Sequence, residues 1–316
     1  MNAMEWLTQI LVVVAALAAA PLFLGWINQC RAWLQNRSAP SLLLPYRGLR
    51  KLFHKDAVLA ESASPIFRGA PYVVFATMVT AAAIIPSTGT RLPFASAADA
   101  IALVGLFATA RVFLSLAAMD VGTAFGSLGA RREMMVGFLA EPALLIVIFV
   151  ASLISATTAL PVISERLATQ SLGLYPSLAF TGVAFTMVLL AENARIPVDN
   201  PATHLELTMI HEAMLLEYSA RHLALMEWAA ALKLFNYACI GFALFIPWGT
   251  AMGGAGPGAL LVSVPLLAAK LLVAGAGLAL IETLSAKLRV FRAPEFLATA
   301  FIFAVLGLLV HLMLEA

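Results

Sequence analysis

A chain of 316 residues in which 62% are hydrophobic and 11% charged lacks the polar surface to enclose a water-soluble core, since soluble domains are about one quarter charged. The net charge of +2 is small, and its basic residues are interleaved with apolar anchors, which excludes a nucleic-acid-binding surface. Cys30 and Cys239 stand far apart with no CxxC spacing, so neither a disulfide framework nor an iron–sulfur site is expected in this chain.

The apolar runs are long and continuous. In lipid, backbone groups must be paired internally, so such runs form helices, whereas barrel strands would alternate. The sequence predicts an all-α, polytopic integral membrane protein with about eight transmembrane helices. Met4–Asn28 is the first span; it has no basic start or cleavage site and reads as an anchor, not a removed signal. Gly69–Pro86 is the second, short and bounded by Pro71 and Pro86. Ala98–Ala118, Glu133–Ala156 and Pro176–Glu192 follow, then Leu223–Trp248, Gly258–Ile281 and Glu295–Leu314. Each approaches the roughly 20 helical residues that cross a bilayer. The chain forms a single membrane domain without an internal repeat.

The connections at about 29–68, 119–132, 193–222 and 282–294 hold 14 Lys and Arg, seven of them in the first; the opposite connections hold two, Arg91 and Arg166. The positive-inside rule therefore puts these four loops in the cytoplasm and both termini outside. The basic stretch from Arg31 to Arg68 suits either anionic lipid headgroups or a docked partner, and its pattern does not separate the two.

Six ionisable residues within or at the ends of spans stand out: Arg111, Glu141, Glu192, Glu227, Lys233 and Lys270. A charge near the bilayer centre costs at least ~2.5 kcal/mol, so each must face a cavity, water or a partner. They could be ion pairs that hold helices together. Three acids with two lysines and an arginine also suit a proton path, because neighbouring acids share and pass protons. Glu227 and Lys233 are six apart, on different helix faces, and each needs a partner elsewhere. The fifth connection adds Asp199, Glu206, Glu212 and Glu217, with His204 and His211. His211-Glu212 has no second His at i+4 and no third ligand is evident, so no metal site is expected. A polar funnel carrying protons into the membrane is the sharper reading; a solvated loop is the plainer one.

Specific strings then carry a resemblance. LLAENARIPVD, ending at Asp199, resembles the opening of the acidic loop in the complex I subunit 1 family of NADH–quinone oxidoreductases: Glu192 ends a helix and Arg195, Pro197 and Asp199 follow. GSLGARREMMVGFLAEPALL, with Arg131 and Glu141, resembles a second family signature, a glycine- and arginine-bearing turn leading into a helix with a buried acid. LEYSARHLALMEWA places Glu217, Tyr218 and Glu227 at a third set of positions. QNRSAP and LPYRGLRKLFHKD resemble the first cytoplasmic loop. The resemblance covers essentially the whole chain.

Within that family the chain looks most like the membrane subunits of energy-converting [NiFe] hydrogenases, of formate hydrogenlyase and hydrogenase-4 type. Val198 stands where the respiratory form has Phe, the run after Asp199 has His204 and Glu206 in place of an acidic pair, and Lys233 sits inside span six. No quinone-site residue is carried over. The resemblance implies a cytoplasmic (inner) membrane subunit without a redox centre of its own. Partners would be hydrogenase large and small subunits bearing a [NiFe] centre and iron–sulfur clusters, an iron–sulfur subunit, and antiporter-like membrane subunits. Protons would pass along Glu206, Glu212 and Glu217 to Glu192, Glu141 and Glu227. Two other readings stay open: a quinone-chamber subunit of a respiratory complex, and a stand-alone secondary transporter.

Overall fold

The computed structural model describes residues 3–90, 93–169, 175–199, 209–251, 257–288 and 292–315. In chain order the helices are α1 (Ala3–Leu34), α2 (Leu44–Phe53), α3 (Pro65–Ile84), α4 (Ala100–Asp120), α5 (Ala124–Ser155), α6 (Leu160–Thr169), α7 (Ser177–Glu192), α8 (His211–Leu215), α9 (Ala220–Phe245), α10 (Pro257–Leu284) and α11 (Ala293–Val310). A π-helical turn, His311–Glu315, continues α11. Among the described residues there is no strand, only two isolated bridges, Gly89 to Ala251 and Asp99 to Ala159.

Seven helices are long and apolar enough to cross a membrane: α1, α3, α4, α5, α9, α10 and α11. The eighth crossing is α7, whose 16 residues span about 24 Å at 1.5 Å per residue. It runs along α11 and α5, and its last residue, Glu192, belongs to a buried ion cluster. The chain is thus the polytopic all-α bundle that its composition dictates.

The two ends of the bundle differ. At one end lie α2, α8 and the starts of α3 and α9, where Tyr218 stacks on Phe67 and the Ser219 hydroxyl donates to Val58 O at 2.6 Å. At the other, α6 meets the loop after α3 through Thr90, whose hydroxyl donates to Glu165 Oε1 at 2.5 Å. Both chain termini lie at this second end: Trp6 packs edge-on against Phe94, and Glu315 accepts from Ser177 N at 2.8 Å at the start of α7.

Two sequence expectations change. The segment read as a turn, Gly126–Arg132, is helical, because α5 starts at Ala124 and the connection from α4 is three residues long. Its glycines serve close approach instead. A Cβ on Gly126 would collide with the Ala118 carbonyl of α4, and one on Gly129 would lie 2.8 Å from the Ile210 carbonyl beside α8. Pro71 does not bound a span; it sits inside α3.

Interior prolines leave carbonyls without a helical donor. Pro71 orphans the Phe67 carbonyl, and the Tyr218 hydroxyl donates to it at 3.0 Å. Burial, with the charge of Asp120 adding to it, pushes the Tyr218 phenol up, so it keeps the proton it donates. Pro21 in α1 likewise orphans the Leu17 carbonyl, and the Trp228 indole N–H of α9 fills the gap at 3.0 Å.

Candidate functional site: an ion cluster beneath a polar chamber

Arg111 on α4 is buried and reaches three acids on two helices. Its Nη1 donates to Glu141 Oε1 at 2.5 Å, its Nη2 donates to Glu192 Oε1, and its Nε lies 3.5 Å from Glu133 Oε1. The planar guanidinium fork suits such bridging. Glu192 also pairs with Lys233 of α9, Nζ to Oε2 at 2.9 Å, and the same ammonium donates to the Glu192 carbonyl at 2.6 Å. The Tyr237 ring, one turn beyond Lys233, lies 6.0 Å from Nζ and closes the cluster against Phe107.

Room for the guanidinium comes from Gly137. A Cβ there would overlap Arg111 Nη1 and lie 2.8 Å from its Cδ. Any other residue at 137 would push Arg111 away from α5.

Charge counting shows what the cluster can do. Glu133, Glu141 and Glu192 face Arg111 and Lys233, so with every group ionised one negative charge is in excess. In a low-dielectric site an uncompensated charge is costly, and binding one proton removes it. Glu141 is the acid placed to exchange that proton. Its side chain is 34% exposed, whereas that of Glu192 is 1% exposed. It emerges on an outer face of α5 beside Phe138 and Leu145, both exposed.

A chamber of about 400 Å³ opens from this cluster toward the loop end of the bundle. Arg111, Glu133, Glu192 and Lys233 form its inner wall; Glu227, Glu212 and His211 line it farther out, and α1, α2 and α3 supply apolar walls. Glu227 is exposed within it. Asp199 lines it too and accepts from the backbone N–H groups of Ile210 and His211 at 3.2 and 3.1 Å. It thereby ties the start of the acidic connection to the start of α8. Arg195 and Arg31 share the Glu282 carboxylate, at 3.2 and 3.6 Å, so this trio by itself carries one positive charge in excess. Burial pulls the Arg195 guanidinium pKa down, and Glu282 opposes that shift.

The structure therefore gathers Arg111, Glu141, Glu192, Glu227, Lys233, Arg195, Asp199, His211 and Glu212 around one chamber and its inner wall. Others stand apart. Arg131 is exposed on the first turns of α5, and Glu217 is half-buried in the turn after α8, off the chamber lining. Lys270 lies toward the opposite end, donating to the Ile246 carbonyl at 2.6 Å. His204 and Glu206 lie outside the described residues. Sequence reading missed Glu133, Glu282, Arg31 and Tyr237. Glu282 carries the same signal as Glu192, an acid closing an apolar run, and Tyr237 stands at i+4 from Lys233 on one helix face. Among the described residues no three His, Cys, Asp or Glu side chains gather as a metal site.

Comparison with known proteins agrees with this architecture. The family described as NADH dehydrogenase matches residues 7–313. The chain is 32% identical over 290 residues to formate hydrogenlyase subunit 4 of Escherichia coli K12, covering 92% of this chain and 93% of that protein. It is 36% identical over 239 residues to hydrogenase-4 component C of the same organism, covering 75% and 74%. A chain in the solved structure of the membrane-bound sulfane sulfur reductase, an archaeal respiratory membrane complex, superposes with a TM-score of 0.84 over 96% of this chain and 98% of that one. At 19% identity that likeness speaks for the fold.

Proposed function

This chain belongs to the NADH dehydrogenase family, and from that premise we propose that it is the membrane-anchor and proton-coupling subunit of an energy-converting hydrogenase complex of formate hydrogenlyase type. The observation that carries the reading is that ionisable groups line the chamber from its mouth to the Arg111 cluster, which reaches Glu141 on the flank of α5. His211 and Glu212 receive protons from the cytoplasmic side. Glu227 and Glu192 follow inward, and Glu141 delivers to a neighbouring antiporter-like membrane subunit. The peripheral arm would hold the [NiFe] and iron–sulfur centres and sit over the loop end, in the cytoplasm, with the anchor in the inner membrane. A change of charge in that arm acts on the Asp199–His211 tie and the Arg195–Glu282–Arg31 group, which border the same chamber.

The test replaces Glu192 or Glu141 by Gln in the intact complex, with proton uptake followed by a pH-sensitive dye in inverted membrane vesicles. Electron transfer and assembly should persist while proton movement slows severalfold. Full pumping in both variants would sink the reading. A second reading rests on the chamber itself. Its volume falls within the ~300–1,000 Å³ of small-molecule sites, and apolar walls from α1 and α2 suit a quinone. That reading requires a quinone analogue to protect chamber residues such as Glu227 from carboxyl-directed labelling.

A further inference from the structure

α8 is held between the chamber and α5. Its residues His211, Glu212 and Leu215 line the chamber, whereas Ala213 and Met214 are buried on its opposite side against Gly129 of α5. A Cβ on Gly129 would lie 2.8 Å from the Ile210 carbonyl and 2.9 Å from Ala213 Cβ, so α5 approaches this segment backbone to backbone. One turn farther along α5, Arg132 Nη1 donates to the Met209 carbonyl at 2.9 Å. Arg132 therefore grips the residue just ahead of Ile210 and His211, whose N–H groups Asp199 holds. The next residue on α5 is Glu133, which faces Arg111.

The contact between Glu133 and Arg111 is unfinished. Arg111 Nε is buried and donates to no acceptor among the described residues. Glu133 Oε1 stands 3.5 Å away, beyond the usual N–H···O range of ~2.7–3.2 Å. A buried donor without its bond is costly, and a shift of about 0.5 Å would satisfy this one. The rest of the guanidinium fork is taken, Nη1 by Glu141 and Nη2 by Glu192. Pro142 gives α5 a place to bend, because proline removes one helical hydrogen bond. Gly129, Arg132, Glu133, Gly137 and Glu141 all precede it.

We propose that Arg132 is a positioning residue for the proton step: with Gly129 it locks the first half of α5 to α8, and movement of α8 closes or opens the Glu133–Arg111 contact. Closing gives more of the Arg111 charge to Glu133 and less to Glu141, because one guanidinium serves both. The proton that balances the cluster then settles on Glu141. Opening returns Arg111 to Glu141 and lets that proton go. No proton passes through Arg132 itself; it acts along the helix, about 14 Å from Glu141 at 1.5 Å per residue. This role rests on the coupling reading above and adds to it the route by which a displaced α8 is felt at the flank of α5.

Redox-induced infrared difference spectroscopy of the intact complex reads the step, with the carboxyl band of Glu141 identified by its loss in Glu141→Gln. In the unmodified complex, reduction should change that band. Arg132→Gln should shrink the change about fivefold, the equivalent of about 1 kcal/mol for one hydrogen bond. Arg132→Lys, which keeps a donor, should restore most of it; a latch that merely held the fold together would leave the band unmoved in all three. Glu133→Gln should shrink the change as Arg132→Gln does, and the double variant should lose no more than either alone. Because Glu133→Gln leaves the α5–α8 contact intact, it carries the test even where Arg132→Gln does not assemble. A full band change in both single variants, or additive losses in the double variant, would overturn this role and leave the coupling reading standing. An unmodified complex with no redox-linked Glu141 band would overturn both.

Discussion

Arg111 is the residue on which the buried charges depend, and Gly137 is the residue that admits it. Removing one partner of a buried ion pair costs about 3–5 kcal/mol, because the remaining charge stays desolvated. Arg111→Gln should therefore lower the thermal unfolding temperature of the detergent-solubilised complex strongly. Arg111→Gln combined with Glu192→Gln should recover part of that loss, since the double variant removes a charge of each sign. Simple additivity of the two losses would mean the groups are not coupled. Gly137→Ala makes a sharper test, because it alters no charge. Its methyl would occupy the guanidinium position, so proton movement should fall as it does in Arg111→Gln. Gly105→Ala, on the neighbouring α4 with nothing within 4 Å of its Cβ, should leave pumping unchanged. Equal behaviour of the two alanine variants would remove Gly137 from the account.

Among the helices, Pro21 and Pro71 show how a span interrupted by proline survives in lipid. An orphaned carbonyl inside a bilayer has no water to turn to, and here α9 and the turn before it supply the donors. Tyr218→Phe should destabilise the bundle by about 1 kcal/mol, the net worth of one hydrogen bond, with Trp228→Phe costing a similar amount. Restoring an N–H to α3 by Pro71→Ala should make Tyr218→Phe nearly neutral, because the helix then satisfies Phe67 itself. A full Tyr218→Phe loss in the Pro71→Ala background would contradict this pairing. Such donors are not legible in the sequence, because the proline and its remedy are 147 positions apart. The spans are legible, since lipid imposes one rule on every apolar run. Arg111, Glu192 and Lys233 are legible as well, because a charge inside an apolar run has few tolerable fates. Glu282 escapes notice by falling one residue past the seventh run, where it reads as part of a polar connection. Gly137 leaves no trace, because space for a guanidinium is a property of two helices in contact. The helical start of α5 is hidden because glycine pairs suit both turns and close helix contacts, and only the proximity of α4 and α8 decides between them.

For the molecule as a whole, eight crossings return the chain to the end at which it began, with the chamber at the other. The connections read from the sequence as cytoplasmic hold 14 Lys and Arg, against Arg91 and Arg166 in the others. Because basic loops resist translocation, the chamber should face the cytoplasm, the compartment from which a coupling subunit would draw its protons. Single cysteines at two exposed positions read this directly. Lys55→Cys lies just beyond α2 on the chamber side, and Ala97→Cys lies in the 3-10 turn of Pro93–Ala97 on the other. The native Cys30 and Cys239 are buried and should stay silent. In intact cells a membrane-impermeant maleimide should label Ala97→Cys and spare Lys55→Cys, and inverted vesicles should reverse the pattern. The opposite result would put the chamber outside the cell. The Glu212–Glu227–Glu192–Glu141 series could then not carry protons outward from the cytoplasm, whatever its geometry, so this one measurement bears on the direction of every step assigned to the site.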